Sequence, residues 1–513
     1  MKVVKSLLVF VFLLVGGNVI AQNTDRYWVF GDSAGIDFNN LASPVPAHSI
    51  LQSRGTCASI CDSVGNLLFY SGSPLKTLWL SGLGNLKFGF LVNKNHQLMQ
   101  NGDTLIGSLW YQEMVIVSDP GDLQQYYIFC SGILEPTNGL YYSKVDLTYN
   151  NGLGKVVQKN VQLNADSITD GITAVRHGNG RDWWVLVRNW KGVNEYTNDV
   201  MVYYVSPSGV QLHSIQHIGI NTSKDSFYRL KFNSDGSKLY NVSARGIIER
   251  FDFDRCTGVL SNETTYEGLS GPPYKFYWGF EVSPDESKLY VSSIYQTANQ
   301  DTSYLIQFDL NASNFAASAD TLYSFLNDIP GILKKGPDNK IYLSTMSASP
   351  DTCFDYLYCY GNLNNTNANL SVINSPDSAG AACDFQPFSF NLGGHKAYWG
   401  LPNNPNYELG AWTGSPCDTL TVGIGEVLGY KNNMSVFYDP RIKTAFVNAK
   451  GLRGKKANLQ IFNSAGQLVF THNSPTDGEY FTFDVDMSPY LDAMYVVRLE
   501  TEREMVSGKF VKR

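Results

Sequence analysis

After Val15 the chain has no apolar run long enough to span a bilayer, so nothing beyond the N-terminus reads as transmembrane. Charged residues are sparse, at 17%, while aromatics reach 13%; this balance excludes a disordered chain and disfavours a helical one. No stretch past the N-terminus sustains a helical period, which removes folds that need alternating helices. The eight cysteines include no CxxC pair, so a zinc site is not indicated. Basic residues are fewer than acidic ones and the net charge is −7, which argues against nucleic acid or an anionic membrane as partner.

What is present is a repeated phrase: an apolar strand, a polar turn, then a strand bearing an aromatic. Its clearest copies are Phe232 to Val242 (FNSDGSKLYNV), Phe280 to Ser292 (FEVSPDESKLYVS) and Leu333 to Ser344 (LKKGPDNKIYLS). Looser copies run Ala58 to Tyr70, Val115 to Phe129 and Thr173 to Val187. One aromatic per copy gives Phe69, Tyr127, Trp184, Tyr240, Tyr290 and Tyr342, at intervals of 50 to 58 residues. Such a period means units that cannot bury their core faces alone. Asp, Asn, Gly and Pro supply the tight turns, and the strand after each turn alternates its faces. Four-stranded blades around an axis satisfy this pattern.

The expected fold is therefore all-β: a β-propeller of about seven blades over residues 22–416, with six or eight as neighbouring solutions. A seventh position falls at Gly393 to Trp399, and Arg26 to Phe38 would close the ring by pairing with the last blade. Residues 417–434 read as a linker. Residues 435–513 read as a small β-sandwich, from six short strands between turns such as Ser464-Ala465-Gly466.

At the N-terminus, Lys2 and Lys5 precede the apolar stretch Leu7 to Val15, and Val19-Ile20-Ala21 offers cleavage between Ala21 and Gln22. Residues 1–21 are thus expected to be a signal peptide. In an oxidising compartment Cys353 and Cys359 (CFDYLYC) are spaced to close a small loop; buried unpaired thiols are the alternative for most of the eight. Cys57 and Cys61, four apart on one strand, are too distant to bond to each other.

Two resemblances extend this. Val436-Phe437-Tyr438-Asp439-Pro440, Ala457 to Val469 (ANLQIFNSAGQLV), Leu491 to Leu499 (LDAMYVVRL) and the closing Gly508-Lys509-Phe510-Val511-Lys512 resemble the type A sorting domain of proteins exported by the bacterial type IX secretion system. The resemblance covers about the last 80 residues. It implies transit through the periplasm, the secretion machinery as a partner, and delivery outside the cell. The body is similar to propeller regions that precede such tails, through Tyr27 to Gly31, Ala34 to Phe38, Cys383 to Pro387 and Gly400-Leu401-Pro402-Asn403. Those families are mostly binding scaffolds.

No catalytic, cofactor or metal residue is assigned. Gly31-Asp32-Ser33 resembles the nucleophile block of GDS-type esterases, but none of the seven histidines has an Asp three residues before it, and a turn is the simpler reading. His213 and His217 would share a strand face, without further ligands to complete a metal site. Asp235 and Asp285 read as turn formers rather than Ca²⁺ ligands. Trp183-Trp184 and Tyr277-Trp278 read as blade packing before sugar platforms. Asp103-Thr104-Leu105, Asp320-Thr321-Leu322 and Asp418-Thr419-Leu420 resemble a bacterial O-glycosylation sequon. The expected function is a non-catalytic, exported module that binds a protein or glycan. The alternatives are a propeller hydrolase or lyase acting on polysaccharide or peptide, and a passive structural component.

Overall fold

The computed structural model describes residues 23–53, 55–72, 89–107, 112–133, 138–190, 197–222, 228–244, 246–267, 275–296, 301–326, 328–347, 363–418, 434–450, 455–463, 467–475, 480–501 and 505–512. The signal-peptide residues with Ala21 and Gln22, and the Cys353–Cys359 pair, lie outside them. The chain divides into two compact units, Met1–Thr421 and Val422–Arg513.

The first unit is a β-propeller of seven successive antiparallel meander sheets. Blade 1 has strands Tyr27–Phe30, Asp32–Asp37 and Val45–Gln52; blade 2 has Cys57–Cys61, Leu67–Gly72 and Phe90–Asn93. Blades 3 to 7 are four-stranded and begin at Met114–Asp119, Ile168–Arg176, Tyr228–Phe232, Lys275–Val282 and Asp328–Lys335. The first strands of consecutive blades pack against one another, which makes them the inner strands. Burial follows that placement. Inner strands such as Cys57–Cys61 and Ile168–Arg176 are buried nearly throughout, whereas the last strand of blade 7 has no buried position and that of blade 1 only Ser49 and Leu51.

All six repeat aromatics lie in the second strands of their blades, and Tyr127, Trp184, Tyr240, Tyr290 and Tyr342 are at most 5% exposed. The three clearest turns share one geometry. Asp235, Asp285 and Asp338 each accept a backbone N–H two residues on, from Ser237, Ser287 and Lys340. The residue after each Asp is left-handed: Gly236 at φ 74°, Glu286 at 60° and Asn339 at 63°. Glu286 uses the conformation to take a bond from Asn233 of the neighbouring turn at 2.9 Å.

The ring closes differently from expectation. Residues 393–399 do not form a seventh hairpin; the seventh sheet is the N-terminal one, and it has its own three strands. Lys396 makes isolated bridges to Asp32 and Ser33 rather than joining a strand. The side chains of blades 1 and 7 meet instead. Trp28, Phe38 and Tyr342 form a triangle of edge-on rings at 4.8–5.8 Å. Two left-handed glycines at 393 and 394 turn the chain away before a strand can start.

Three histidines gather at this joint. His48 lies 5.3 Å from His96 and 6.4 Å from His395, ring to ring, and Tyr70 Oη is 3.0 Å from His96 Nδ1. Burial, then the neighbouring His48, holds His96 below the usual histidine range. Its folded pKa is below the unfolded one, so the unfolded chain takes the proton first. Stability is full above about pH 6.5 and falls as the pH drops below it. The melting temperature should therefore decline between pH 7.5 and 5.5, and His96→Gln should recover about 1–2 °C of that decline. An equal decline in the variant would assign it elsewhere.

The second unit has a three-stranded sheet (Met434–Asp439, Thr444–Lys450, Tyr480–Asp486) and a four-stranded sheet (Lys456–Phe462, Leu468–Pro475, Met494–Thr501, Met505–Val511). Ala445 and Val447 from one sheet share an apolar cluster with Leu459, Ile461, Val497 and Leu499 from the other. The strand Met434–Asp439 is additional to the six read from the turns.

Candidate functional site

The residues after blade 7 run along the propeller axis. Asn403 reaches three inner strands at once: its N–H donates to Cys57 O, and its Nδ2 donates to Met114 O and Ile172 O, each at 2.9 Å. Its Oδ1 accepts from Gln112 Nε2, which also donates to Leu230 O of blade 5. Asn404 Oδ1 accepts from Ser59 N, its Nδ2 donates to Asp25, and its carbonyl accepts from Lys334 of blade 7. Only a segment on the axis can touch blades on opposite sides of the ring. Further on, Tyr407 is 2% exposed and donates to Ile116 O, and Arg176 donates to Tyr407 O.

The local sequence explains why this segment fits. Pro402 and Pro405 have no N–H to satisfy, and the asparagines between them carry both donors and acceptors for carbonyls and amides that face the axis. Gly400 passes so close to blade 2 that an added Cβ would stand 1.7 Å from Gly55 O. The segment then crosses onto the turn face. Trp412 N–H donates to Gly178 O, Arg255 donates to Gly410 O, and Cys417 bonds to Cys256 in the last turn of blade 5.

This plug leaves a cavity of about 470 Å³ at the end of the inner strands, where the Asp-rich turns lie. Its walls include Asp25, Arg26, Lys231, Glu281, Lys334 and Lys335, with Glu408 from the plug itself. Lys231 pairs with Glu281 at 2.6 Å and Lys334 with Asp25 at 3.5 Å. Burial acts to raise the Glu281 carboxyl, but Lys231 and Lys335 outweigh it and hold the group below its ordinary range. Glu408 moves the other way. Lost hydration raises its carboxyl above the ordinary range, with Arg26 opposing and Asp25 adding to the rise.

No family model and no curated protein matches the chain. Solved structures similar to it include a protein of Lactobacillus plantarum, at 11% identity and a TM-score of 0.41, covering 74% of this chain and 98% of that one. The periplasmic gluconolactonase of Pseudomonas aeruginosa is another, at 11% identity and 0.39, covering 90% and 99%. A third is the Cps50 (Swd1) β-propeller domain of Myceliophteria thermophila, at 9% and 0.34, covering 63% and 94%. Similarity this distant bears on no residue's role, and the propeller stands on the sheet topology itself.

The residues singled out by sequence lie mostly outside the cavity. Gly31-Asp32-Ser33 is the first turn of blade 1, with Gly31 at φ 61° and Ser33 at 60°. His213 and His217 lie on the last strand of blade 4 but are separately engaged, His213 with Thr257 O and His217 with Asp199. Trp183, Trp184, Tyr277 and Trp278 are all buried. Asp103-Thr104-Leu105 turns at Thr104, which is left-handed, and Lys159 pairs with Asp103. Asp320 and Thr321 are exposed on the last strand of blade 6; Thr419 and Leu420 lie outside the described residues. Of the cysteines, Cys57, Cys61, Cys130 and Cys383 are buried free thiols, and burial raises the pKa of each. The sequence reading missed the cavity because its lysines belong to ordinary strand ends. The Pro-Asn-Asn-Pro-Asn run was the available signal, since amides flanked by prolines suit a chain that bonds to several partners without joining a sheet.

Proposed function

We propose that the protein is an exported β-propeller, carried by the type IX route through residues 435–513, that binds a protein or glycan ligand without chemistry. The observation that carries this reading is the axial cavity. It is of ligand size and lined by charged side chains, and two of its carboxylates, the partly buried Asp25 and the buried Glu281, are engaged in ion pairs with Lys334 and Lys231. Glycan-array and pull-down screens with the full chain should yield a ligand that Ser234→Trp, placed to fill the cavity, no longer retains. A ligand kept by that variant would place binding elsewhere.

One observation favours a hydrolase or lyase instead: Glu408 stands in the cavity wall and its carboxyl is shifted upward, the direction a general acid requires. Turnover of a polysaccharide or peptide that falls at least a hundredfold in Glu408→Gln would establish that reading. The sorting role is separate. Removal of residues 435–513 should leave the chain in the periplasm, and unimpaired arrival at the cell surface would refute it.

A further inference from the structure

We infer that the axial cavity receives a carboxylated sugar, its acid group drawn to Lys335 and Arg26 and its hydroxyls to the amides around them. This rests on the reading of the cavity as the binding site. The chain as a whole is acidic, at −7, yet the cavity gathers Arg26, Lys231, Lys334 and Lys335 against Asp25, Glu281 and Glu408. Lys231 and Lys334 are neutralised within the wall by Glu281 and Asp25. Arg26 and Lys335 add to the field on Glu408 and Glu281 without pairing directly with either. Arg26 donates to Asn23 Oδ1 and Phe38 O at 3.0 and 3.3 Å, and Lys335 Nζ donates to Ser234 Oγ at 2.6 Å. These acceptors are uncharged, and among the described residues neither cation forms an ion pair.

The remaining anion, Glu408, competes for the same positive field. Arg26 acts to lower its carboxyl, while lost water and Asp25 raise it. An incoming carboxylate that keeps part of its hydration at the mouth avoids much of that desolvation. Sugar chemistry fits the other groups. Asn339 is exposed in its turn, and Asn406 is an exposed amide held by a bond from its Nδ2 to Ser234 O at 2.8 Å and one from Glu408 N to its Oδ1 at 3.1 Å; the second amide hydrogen and second lone pair remain to serve hydroxyls. The apolar wall residues Val175, Leu230 and Val282 are at most 4% exposed, while the partly buried Phe232, Pro284 and Pro337 offer a shallow apolar surface on which the C–H face of a sugar ring can rest. A volume near 470 Å³ lies within the roughly 300–1,000 Å³ of small-ligand sites.

Calorimetric titration of the full chain with trigalacturonate, maltotriose and triglutamate tests this. Trigalacturonate should bind at least tenfold more tightly than maltotriose and weaken as salt rises. Lys335→Gln should weaken it about tenfold, the scale of one charge-assisted hydrogen bond, and Glu408→Gln should tighten it. The opposite signs separate a binding role from a loss of fold, and tryptophan fluorescence melting checks that each variant is folded. Equal affinity for maltotriose overturns the acid preference but leaves the cavity as a site. Preference for triglutamate overturns the sugar. Trigalacturonate affinity unchanged by both Lys335→Gln and Ser234→Trp overturns the inference and the cavity reading together, as does binding of none of the three.

Discussion

Asn403→Ala should cost the propeller about 3 kcal/mol, although it removes only one amide. The side chain satisfies Met114 O and Ile172 O and engages Gln112, and each buried polar group left without its partner costs about 1–3 kcal/mol. Water from the adjoining cavity can replace part of this, which keeps the total below the simple sum. Gly400→Ala should cost at least as much, because a Cβ 1.7 Å from Gly55 O forces backbone apart rather than a side chain aside. Asn406→Ala, at an exposed position where the side chain donates to Ser234 O and accepts from Glu408 N, should stay within about 1 kcal/mol because water can replace both bonds. Cys417→Ser acts on the same segment by freeing a closure of 161 residues, so its effect should combine non-additively with Asn403→Ala. Urea titration followed by tryptophan fluorescence reads the propeller alone, since all nine tryptophans precede Val422. A loss for Asn403→Ala no larger than for Asn406→Ala would mean that the plug rests in the channel without holding it together.

The contrast between blades and plug explains what could be read from the sequence. Each blade repeats the same local solution, with an Asp that caps a turn and an aromatic that fills the second strand. Asp235, Asp285 and Asp338 therefore announced themselves through spacing alone. The plug occurs once. Its partners Cys57, Met114 and Ile172 are hundreds of residues away, and what matters about them is a backbone carbonyl, which every residue carries. No pattern in the chain marks a carbonyl as axial. The N-terminal sheet was misplaced for a related reason: its strands are short, and its closure depends on Trp28 meeting Tyr342, a contact made by tertiary packing and not by pairing. The cavity inherits both difficulties. Its wall is made of lysines at the ends of unrelated strands, and its floor is the plug.

The second large effect is expected between blades 4 and 5, where Arg188→Met should cost about 3–5 kcal/mol. Arg188 and Glu249 are a buried pair with side chains 1% and 0% exposed and 2.7 Å between Nη1 and Oε2. Glu249 also accepts from Ile220 N and Asn241 Nδ2, while Arg188 donates to Ile220 O and lies over the Tyr228 ring at 5.2 Å. Removing the guanidinium leaves a carboxylate enclosed in the core with only two neutral donors. The pair's own attraction is not what the mutation measures; most of the loss is the desolvation of the charge left behind. Arg188→Met with Glu249→Leu should therefore recover part of the stability, since both charges go together. Recovery should stop short of the wild type, because Ile220 N and Asn241 Nδ2 then lose their acceptor. Urea midpoints of the four proteins give the coupling energy, expected at about 2 kcal/mol. A double variant no more stable than Arg188→Met would show that Glu249 tolerates isolation and that its bonds to Ile220 and Asn241 suffice to hold the two blades.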